Sequence, residues 1–79
     1  MTKEKIIEKL FNIISEEMDI DVEDISLDAN IREDFDADSL DMIDIIMDIE
    51  DELSVEVPDE VLNDLITVND VVEYIEENI

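Results

Sequence analysis

Apolar residues recur at helical spacing in three stretches of this chain, and no other sequence feature limits the possible fold as strongly. The first stretch runs from about Thr2 to Met18. Its apolar residues are Ile6, Ile7, Leu10, Phe11, Ile13, Ile14 and Met18. Because this spacing follows the period of an α-helix and breaks strand alternation, we predict a helix that Thr2 can cap at its N-terminus.

A second, central helix is predicted from Asp38 or Ser39 to about Leu53. Either residue can cap it, and Asp38 with Asp41 three positions on resembles a capping box. At about 100° per residue, one side of this helix is apolar and faces the core. The core-facing residues are Met42, Ile45, Ile46, Ile49 and Leu53.

The other side of the central helix carries an acidic stripe with apolar residues at its margin. The stripe consists of Asp41, Asp44, Asp48, Asp51 and Glu52. Leu40 and Met47 lie beside it, and Ile43 lies between the stripe and the core side. Such a surface suits docking on a basic, partly apolar patch. The alternative is that Leu40 and Met47 fold back over the core.

Two further helices and one long connection complete the predicted fold. A short helix is expected over 60–65 after Pro58-Asp59, and a last helix from Thr67, with Asp70 as its capping partner. The connection, from Asp19 to Ala37, is long for a compact domain. Its apolar residues are spaced as core anchors, so we expect it to be ordered. These anchors are Ile20, Val22, Ile25, Leu27, Ile31 and Phe35.

We therefore predict an all-α fold, with residues 1–79 forming a single domain. It is a small bundle of three main helices plus one short helix, with a long ordered loop between the first two. A strand over 53–57 is the alternative for that segment, but it would have no sheet to join.

The formal net charge is −23, which excludes nucleic acid and anionic membranes as natural partners. All four basic residues lie within the first 32 positions, whereas 18 acidic residues and no basic one lie from Glu33 onward. No stretch is apolar enough to span a membrane, and the N-terminus resembles no targeting peptide. We expect a cytoplasmic protein, and repulsion between like-charged copies favours a monomer.

Catalysis by the chain itself is not expected. It has no His and no Cys, which removes thiolate or imidazole zinc sites and Ser–His–Asp chemistry. The run Asp34-Phe35-Asp36-Ala37-Asp38 resembles the start of an EF-hand loop. That loop requires Gly at its sixth position and Glu at its twelfth, where this chain has Ser39 and Ile45. No specific metal site is predicted, although loose divalent binding by clustered carboxylates stays open.

Ser39 has no base beside it in the sequence, so it is a poor nucleophile. It is better placed as a substrate for modification, because a helix N-terminus favours a phosphate group. The alternative is a serine that only caps the helix.

The segment Asp36-Ala37-Asp38-Ser39-Leu40-Asp41 and the acidic helix after it closely resemble acyl carrier proteins of bacterial-type fatty acid synthesis. The similarity continues through Val55-Glu56-Val57-Pro58-Asp59-Glu60 and Thr67-Val68-Asn69-Asp70-Val71-Val72-Glu73-Tyr74-Ile75, and so covers nearly the whole chain. It implies that Ser39 carries 4′-phosphopantetheine, attached covalently by a transferase that uses coenzyme A. The terminal thiol would then hold acyl chains as thioesters.

The resemblance also implies partners and a docking surface. The partners would be the phosphopantetheinyl transferase and enzymes of fatty acid synthesis with basic docking patches. The residues that match the family's partner-recognition helix are Asp38, Leu40, Asp41, Asp44, Met47, Glu50 and Asp51. Several of them belong to the acidic stripe and its apolar margin.

Two positions depart from the family pattern, because Asp36 and Ser54 stand where glycine is usual. Glycine at such sites commonly serves a positive φ or a helix C-cap. Two alternative functions stay open: a specialised carrier of polyketide or peptidyl intermediates, and an acidic mimic that binds a nucleic-acid-binding groove.

Overall fold

In the computed structural model, which describes residues 2–79, the chain forms five α-helices. They are α1 (Lys3–Met18), α2 (Ile31–Asp34), α3 (Ser39–Leu53), α4 (Asp59–Leu62) and α5 (Val68–Asn78). α1 packs against both α3 and α5. No strand occurs within residues 2–79, so the predicted all-α class is confirmed. No helix in this part of the chain could cross a bilayer, given their lengths and polarity.

α1 begins and ends through side-chain and backbone caps. The Thr2 hydroxyl accepts a hydrogen bond from the Lys5 amide at 3.2 Å, as predicted. At the other end Asp19 adopts a left-handed conformation with φ of 55°, and the amides of Asp19 and Ile20 both donate to the Ser15 carbonyl. The Ser15 hydroxyl donates in turn to the Ile20 carbonyl. These contacts stop the helix within one residue.

The connection between α1 and α3 is ordered, as predicted. It also contains two short helical elements that the sequence did not predict. One is a 3₁₀ turn, Val22–Asp24, and the other is the four-residue α2. Five of the six predicted anchors lie in or against the core. Val22 does not: it is 41% exposed, because it begins the 3₁₀ turn on the outside of the connection.

Backbone hydrogen bonds tie this connection to the start of α5. The Ile31 amide donates to the Ile66 carbonyl at 3.0 Å, and the Val68 amide donates to the Ala29 carbonyl at 3.1 Å. Asn30 and Thr67 therefore face each other as an isolated antiparallel bridge. The Asn30 side chain also caps α2 by accepting from the amides of Arg32 and Glu33. These hydrogen bonds hold α2 and the start of α5 together, and α2 leads into the turn before α3.

The segment after α3 is extended, but in the described part of the chain it pairs with no strand. Val55 and Val57 are buried, and the Tyr74 hydroxyl donates to the Glu56 carbonyl at 3.0 Å. α4 follows Pro58 and spans Asp59–Leu62, whereas the sequence predicted a helix over 60–65. The observed helix begins one residue earlier and ends three residues earlier than the predicted one. The reason is a tighter turn, in which the Leu65 amide donates to the Leu62 carbonyl and directs the Leu65 side chain into the core.

The core is built mainly from aliphatic side chains, most of them on the three long helices and the rest on α2 and the connecting segments. Those buried most completely are Ile6, Leu10, Ile14, Ile31, Met42, Ile45, Ile49, Val68, Val71, Val72 and Ile75. Within residues 2–79 no polar or charged residue is buried. All the charge therefore lies on the surface, where it repels itself.

Candidate functional site

Ser39 is the first residue of α3, and it is not the residue that caps the helix. Asp38 takes that role: its carboxylate accepts from the Asp41 amide at 2.9 Å. The Asp41 carboxylate accepts in return from the Asp38 amide at 3.1 Å, which completes the predicted capping box. The alternative in which Ser39 only caps α3 is therefore wrong.

The Ser39 side chain is exposed to solvent at the end of the helix. Among residues 2–79 its hydroxyl makes no hydrogen bond, and the amides of Ser39 and Leu40 have no acceptor. Two free N–H groups at the positive end of a helix favour an anionic phosphate beside them. The surroundings of Ser39 thus fit a phosphodiester on its oxygen, with the neighbouring carboxylates of Asp38 and Asp41 held in their caps.

α3 buries the side that the sequence predicted. Its buried residues are Met42, Ile45, Ile46, Ile49 and Leu53. This burial anchors α3 against α1 and sets the orientation of its opposite side. The packing of α3 on α1 therefore fixes the positions of Ser39 and the acidic stripe.

The apolar residues of the opposite side stay in solvent. Leu40 is 71% exposed, Met47 is 56% exposed and Ile43 is 43% exposed. They form what we call the apolar ridge, which no helix within residues 2–79 covers. The alternative in which Leu40 and Met47 fold back over the core is wrong.

Carboxylates border the apolar ridge along the helix. Asp44 and Asp51 are exposed on one side of it, and Glu50 lies on the other, half-buried. The Glu50 carboxylate accepts a hydrogen bond from the Val57 amide at 3.0 Å, so it also holds the extended segment after α3. Of the seven predicted docking residues, Asp38, Asp41 and Glu50 thus have structural hydrogen bonds as well.

Asp36 and Ser54, which stand where glycine was expected, both have positive φ. The values are 56° for Asp36 and 53° for Ser54, the latter as C-cap of α3. Both residues therefore adopt the left-handed conformation that glycine would adopt. Their Cβ atoms make this conformation strained, which a glycine would avoid. Asp36 lies three residues before Ser39, so the strained turn leads directly into the site.

Arg32 lies on α2 and lines a surface hollow of about 170 Å³ together with Leu62, Leu65 and Ile66. Within residues 2–79 the one ion pair is between Lys5 and Glu8, at 3.8 Å. In the same range no group of three or more acidic side chains is arranged to hold a metal ion. The EF-hand-like run from Asp34 to Asp38 instead forms the end of α2 and the turn before α3.

One charged residue near α3 was missed by the sequence analysis. Glu17, on the last turn of α1, approaches the acidic stripe of α3. A hydrogen bond with Asp48, together with desolvation and the negative charges of Asp48, Asp44 and Asp41, raises the pKa of Glu17 to about 7. A signal for this contact existed in the sequence, because Glu17 continues the spacing of Ile6, Leu10 and Ile13.

Comparison with known proteins agrees with this geometry. A family model described as "Phosphopantetheine attachment site" matches residues 8–75. The acyl carrier protein of Lactobacillus johnsonii (strain CNCM I-12250 / La1 / NCC 533) is 42% identical over 78 residues, which cover 99% of this chain and 98% of that protein. The solved structure of an acyl carrier protein from Enterococcus faecalis matches with a TM-score of 0.85 and 34% identity, covering 100% of both chains.

Proposed function

The chain belongs to the acyl carrier protein family, whose prosthetic group is a covalently attached 4′-phosphopantetheine, and on that premise we propose that Ser39 carries this group and that the chain transports acyl intermediates in fatty acid biosynthesis. When bound, the group supplies a terminal thiol on which acyl chains are held as thioesters. The chain itself is a carrier and a substrate of other enzymes.

The observation that supports Ser39 is its free hydroxyl at the first position of α3. Because Asp38 caps the helix, the Ser39 oxygen has no structural task that a phosphodiester would disrupt. The amides of Ser39 and Leu40 are available to a phosphate oxygen. The exposed position also leaves room for a transferase to approach.

The test is the intact mass of the chain after incubation with coenzyme A and a phosphopantetheinyl transferase. We expect a gain of one phosphopantetheine in the parent chain and none in Ser39→Ala. Ser26→Ala is the matched control, because Ser26 is also an exposed serine but lies in the connection before α2, and this variant should be modified like the parent. No gain in the parent chain with an active transferase, or an unchanged gain in Ser39→Ala, would reject the assignment.

We further propose that partner enzymes dock on the exposed side of α3. The apolar ridge supplies contact area, and Asp44 and Asp51 beside it attract basic residues. Attraction between opposite charges raises the rate of encounter more than the lifetime of the complex. Fast, short-lived complexes suit a carrier that must visit several enzymes in turn.

Fatty acid synthesis is the proposed pathway, and a carrier of polyketide or peptidyl intermediates is the second candidate. The two differ in what is loaded on the thiol. A carrier of fatty acid synthesis should be charged by an acyltransferase of that pathway and extended by its condensing enzyme. Loading only by an adenylating enzyme that activates amino acids would favour the peptidyl alternative. An acidic mimic would need neither the free serine nor the apolar ridge.

The proposed setting is the cytoplasm, together with the coenzyme-A-using transferase that would load the chain. We propose a monomer, because two copies that each carry a net charge of −23 repel each other at moderate ionic strength. Sedimentation of the loaded chain at several salt concentrations measures this directly.

A further inference from the structure

Three methionines lie within residues 2–79, and they differ in their contact with solvent. Met42 is 1% exposed on the core side of α3, and Met18, the last residue of α1, is half-buried and packs against the core. Met47 is 56% exposed. A thioether is oxidised only when an oxidant reaches its sulfur, so a dissolved oxidant attacks an exposed methionine before a buried one. Of these three side chains, Met47 is therefore the most open to oxidation.

Met47 also belongs to the surface on which we place docking. Leu40, Ile43 and Met47 succeed one another at intervals of three and four residues, so they form one line along α3. The exposed carboxylates of Asp44 and Asp51 lie beside this line. A change in the polarity of Met47 thus alters the apolar ridge itself and leaves the core side of α3 unchanged.

The composition and charge of the chain also favour one class of oxidant. The chain without its prosthetic group offers no thiol that would compete with Met47, because it has no Cys. Hydrogen peroxide is uncharged at neutral pH, so the net charge of −23 does not repel it as it would repel an anionic oxidant. Peroxides are therefore the oxidants best able to reach Met47.

We propose that Met47 is a site of reversible oxidation by peroxides and that its sulfoxide weakens the docking of partners on α3; the second part rests on the proposed docking function. In the forward step, a lone pair of the Met47 sulfur attacks one oxygen of hydrogen peroxide. The S–O bond forms as the O–O bond breaks, and the sulfur is oxidised by two electrons. The proton of the transferred OH passes to the departing hydroxide, which leaves as water.

The reverse step needs a reductant with a pair of thiols, such as a methionine sulfoxide reductase supplies. The thiols donate two electrons and two protons and become a disulfide. The sulfoxide oxygen leaves as water, and the thioether of Met47 is restored. Because both steps balance, oxidation at Met47 can act as a switch between two states of the apolar ridge.

The sulfoxide changes the polarity of the ridge and not its charge. An apolar patch on a partner offers the sulfoxide oxygen no hydrogen bond, so burying it costs free energy that burying a thioether does not. The carboxylates of Asp44 and Asp51 stay in place, so attraction to a basic partner is retained. Ser39 lies eight residues earlier, about 12 Å along the helix. Oxidation should therefore weaken docking by a similar factor at low and at high salt.

The first test locates the oxidation. The chain without the prosthetic group is treated with increasing hydrogen peroxide, and tandem mass spectrometry after cleavage at acidic residues assigns each added oxygen. Asp44 lies between Met42 and Met47, so their peptides separate. We expect Met47 to be oxidised well before Met18 and Met42. Oxidation of either of these at the rate of Met47 would overturn the site. This readout does not depend on Ser39 or on docking.

The second test measures the Kd of a phosphopantetheinyl transferase for Ser39→Ala, which cannot be modified at that position, by calorimetry. Oxidation should raise Kd about tenfold, and a methionine sulfoxide reductase with a dithiol should restore it. Met47→Leu, which conserves volume, should bind like the untreated chain before and after peroxide. Met18→Leu is the matched control and should still respond to peroxide. An unchanged Kd after oxidation, or a loss that persists in Met47→Leu, would overturn the proposal.

Two further measurements identify the cause of the weaker binding. The ratio of Kd before and after oxidation should be the same at low and high salt, and the melting temperature should not change, because Met47 is exposed. A ratio that disappears at high salt would assign the effect to charge, and a lower melting temperature would assign it to unfolding; either would overturn the proposal. No binding by the untreated chain would reject docking and this switch together. Attachment of phosphopantetheine to Ser39→Ala would reject only the assignment of Ser39.

Discussion

Asp38 and Asp41 cap each other: the carboxylate of each accepts a hydrogen bond from the backbone amide of the other, at 2.9 Å and 3.1 Å. Both residues were also assigned to partner docking. Asp38→Ala should lower the free energy of unfolding by about 1 kcal/mol through loss of the cap, and Asp38→Asn should retain most of it. Urea denaturation measures both variants.

The control for this cap is Asp51→Ala, which removes an exposed carboxylate from the same helix. Its effect should stay within about 0.5 kcal/mol, as for most surface changes. If Asp51→Ala lowered stability as much as Asp38→Ala, the loss would not come from the cap.

The charges of the docking surface are best tested away from the cap. Asp44→Lys combined with Asp51→Lys should slow attachment of phosphopantetheine and reduce its dependence on salt, because steering by these carboxylates is lost. The measurement is kcat/KM of the transferase at several ionic strengths. Glu76→Lys with Glu77→Lys changes the net charge equally on exposed positions of α5. An equal loss in this control would assign the effect to net charge, not to α3.

The apolar ridge gives a separate prediction. Leu40→Ala and Met47→Ala should each change the free energy of unfolding by less than about 0.5 kcal/mol, since these side chains are largely exposed. Each should nevertheless weaken docking, because the truncated side chain removes apolar area from the proposed contact surface. Ile66→Ala is the control, with 53% exposure outside α3. Transferase rates that fall equally in Ile66→Ala would reject a docking role for the ridge.

Ser54 allows a test of backbone strain. It has φ of 53° as the C-cap of α3, where glycine adopts this conformation without steric cost. Ser54→Gly should raise the free energy of unfolding by up to about 1 kcal/mol. Ser54→Ala keeps the strained backbone and should bring no gain. Chemical denaturation of both variants measures their free energies of unfolding. A gain in stability in Ser54→Ala would show that the strain came from the hydroxyl and not from the positive φ.

The acidic surface makes stability depend on ionic strength. Because no polar or charged residue within residues 2–79 is buried, the charges repel through solvent and are open to screening. Added sodium chloride should therefore raise the melting temperature. A melting temperature that does not change with salt would show that this repulsion is weak.

The long helices and their buried sides could be predicted because local rules and burial agree there. Met42, Ile45 and Ile49 repeat at helical spacing, and the caps at Thr2, Asp38 and Thr67 follow from short-range hydrogen bonds. The position of Ser39 at the head of α3 followed from the same signals. The sequence could not show that Asp38 and not Ser39 caps the helix, because the two residue types are equally good caps.

The missed features depend on contacts distant in sequence. α2 is only four residues long, too short for periodicity to reveal, and its position is fixed by the bond from Ile31 to Ile66. The early end of α4 depends on the burial of Leu65. The approach of Glu17 to Asp48 requires knowing that α1 packs on α3.

The distribution of cations along α1 affects how the molecule meets a partner. Lys3, Lys5 and Lys9 occupy its first half, while the charged side chains of its second half and of the rest of the surface, Arg32 excepted, are acidic. The molecule therefore has an electric dipole moment in addition to its large negative net charge. A basic enzyme within about one Debye length exerts a torque as well as an attraction, and turns the lysine end of α1 away before contact. The search over orientations, which normally slows protein association, is thereby shortened.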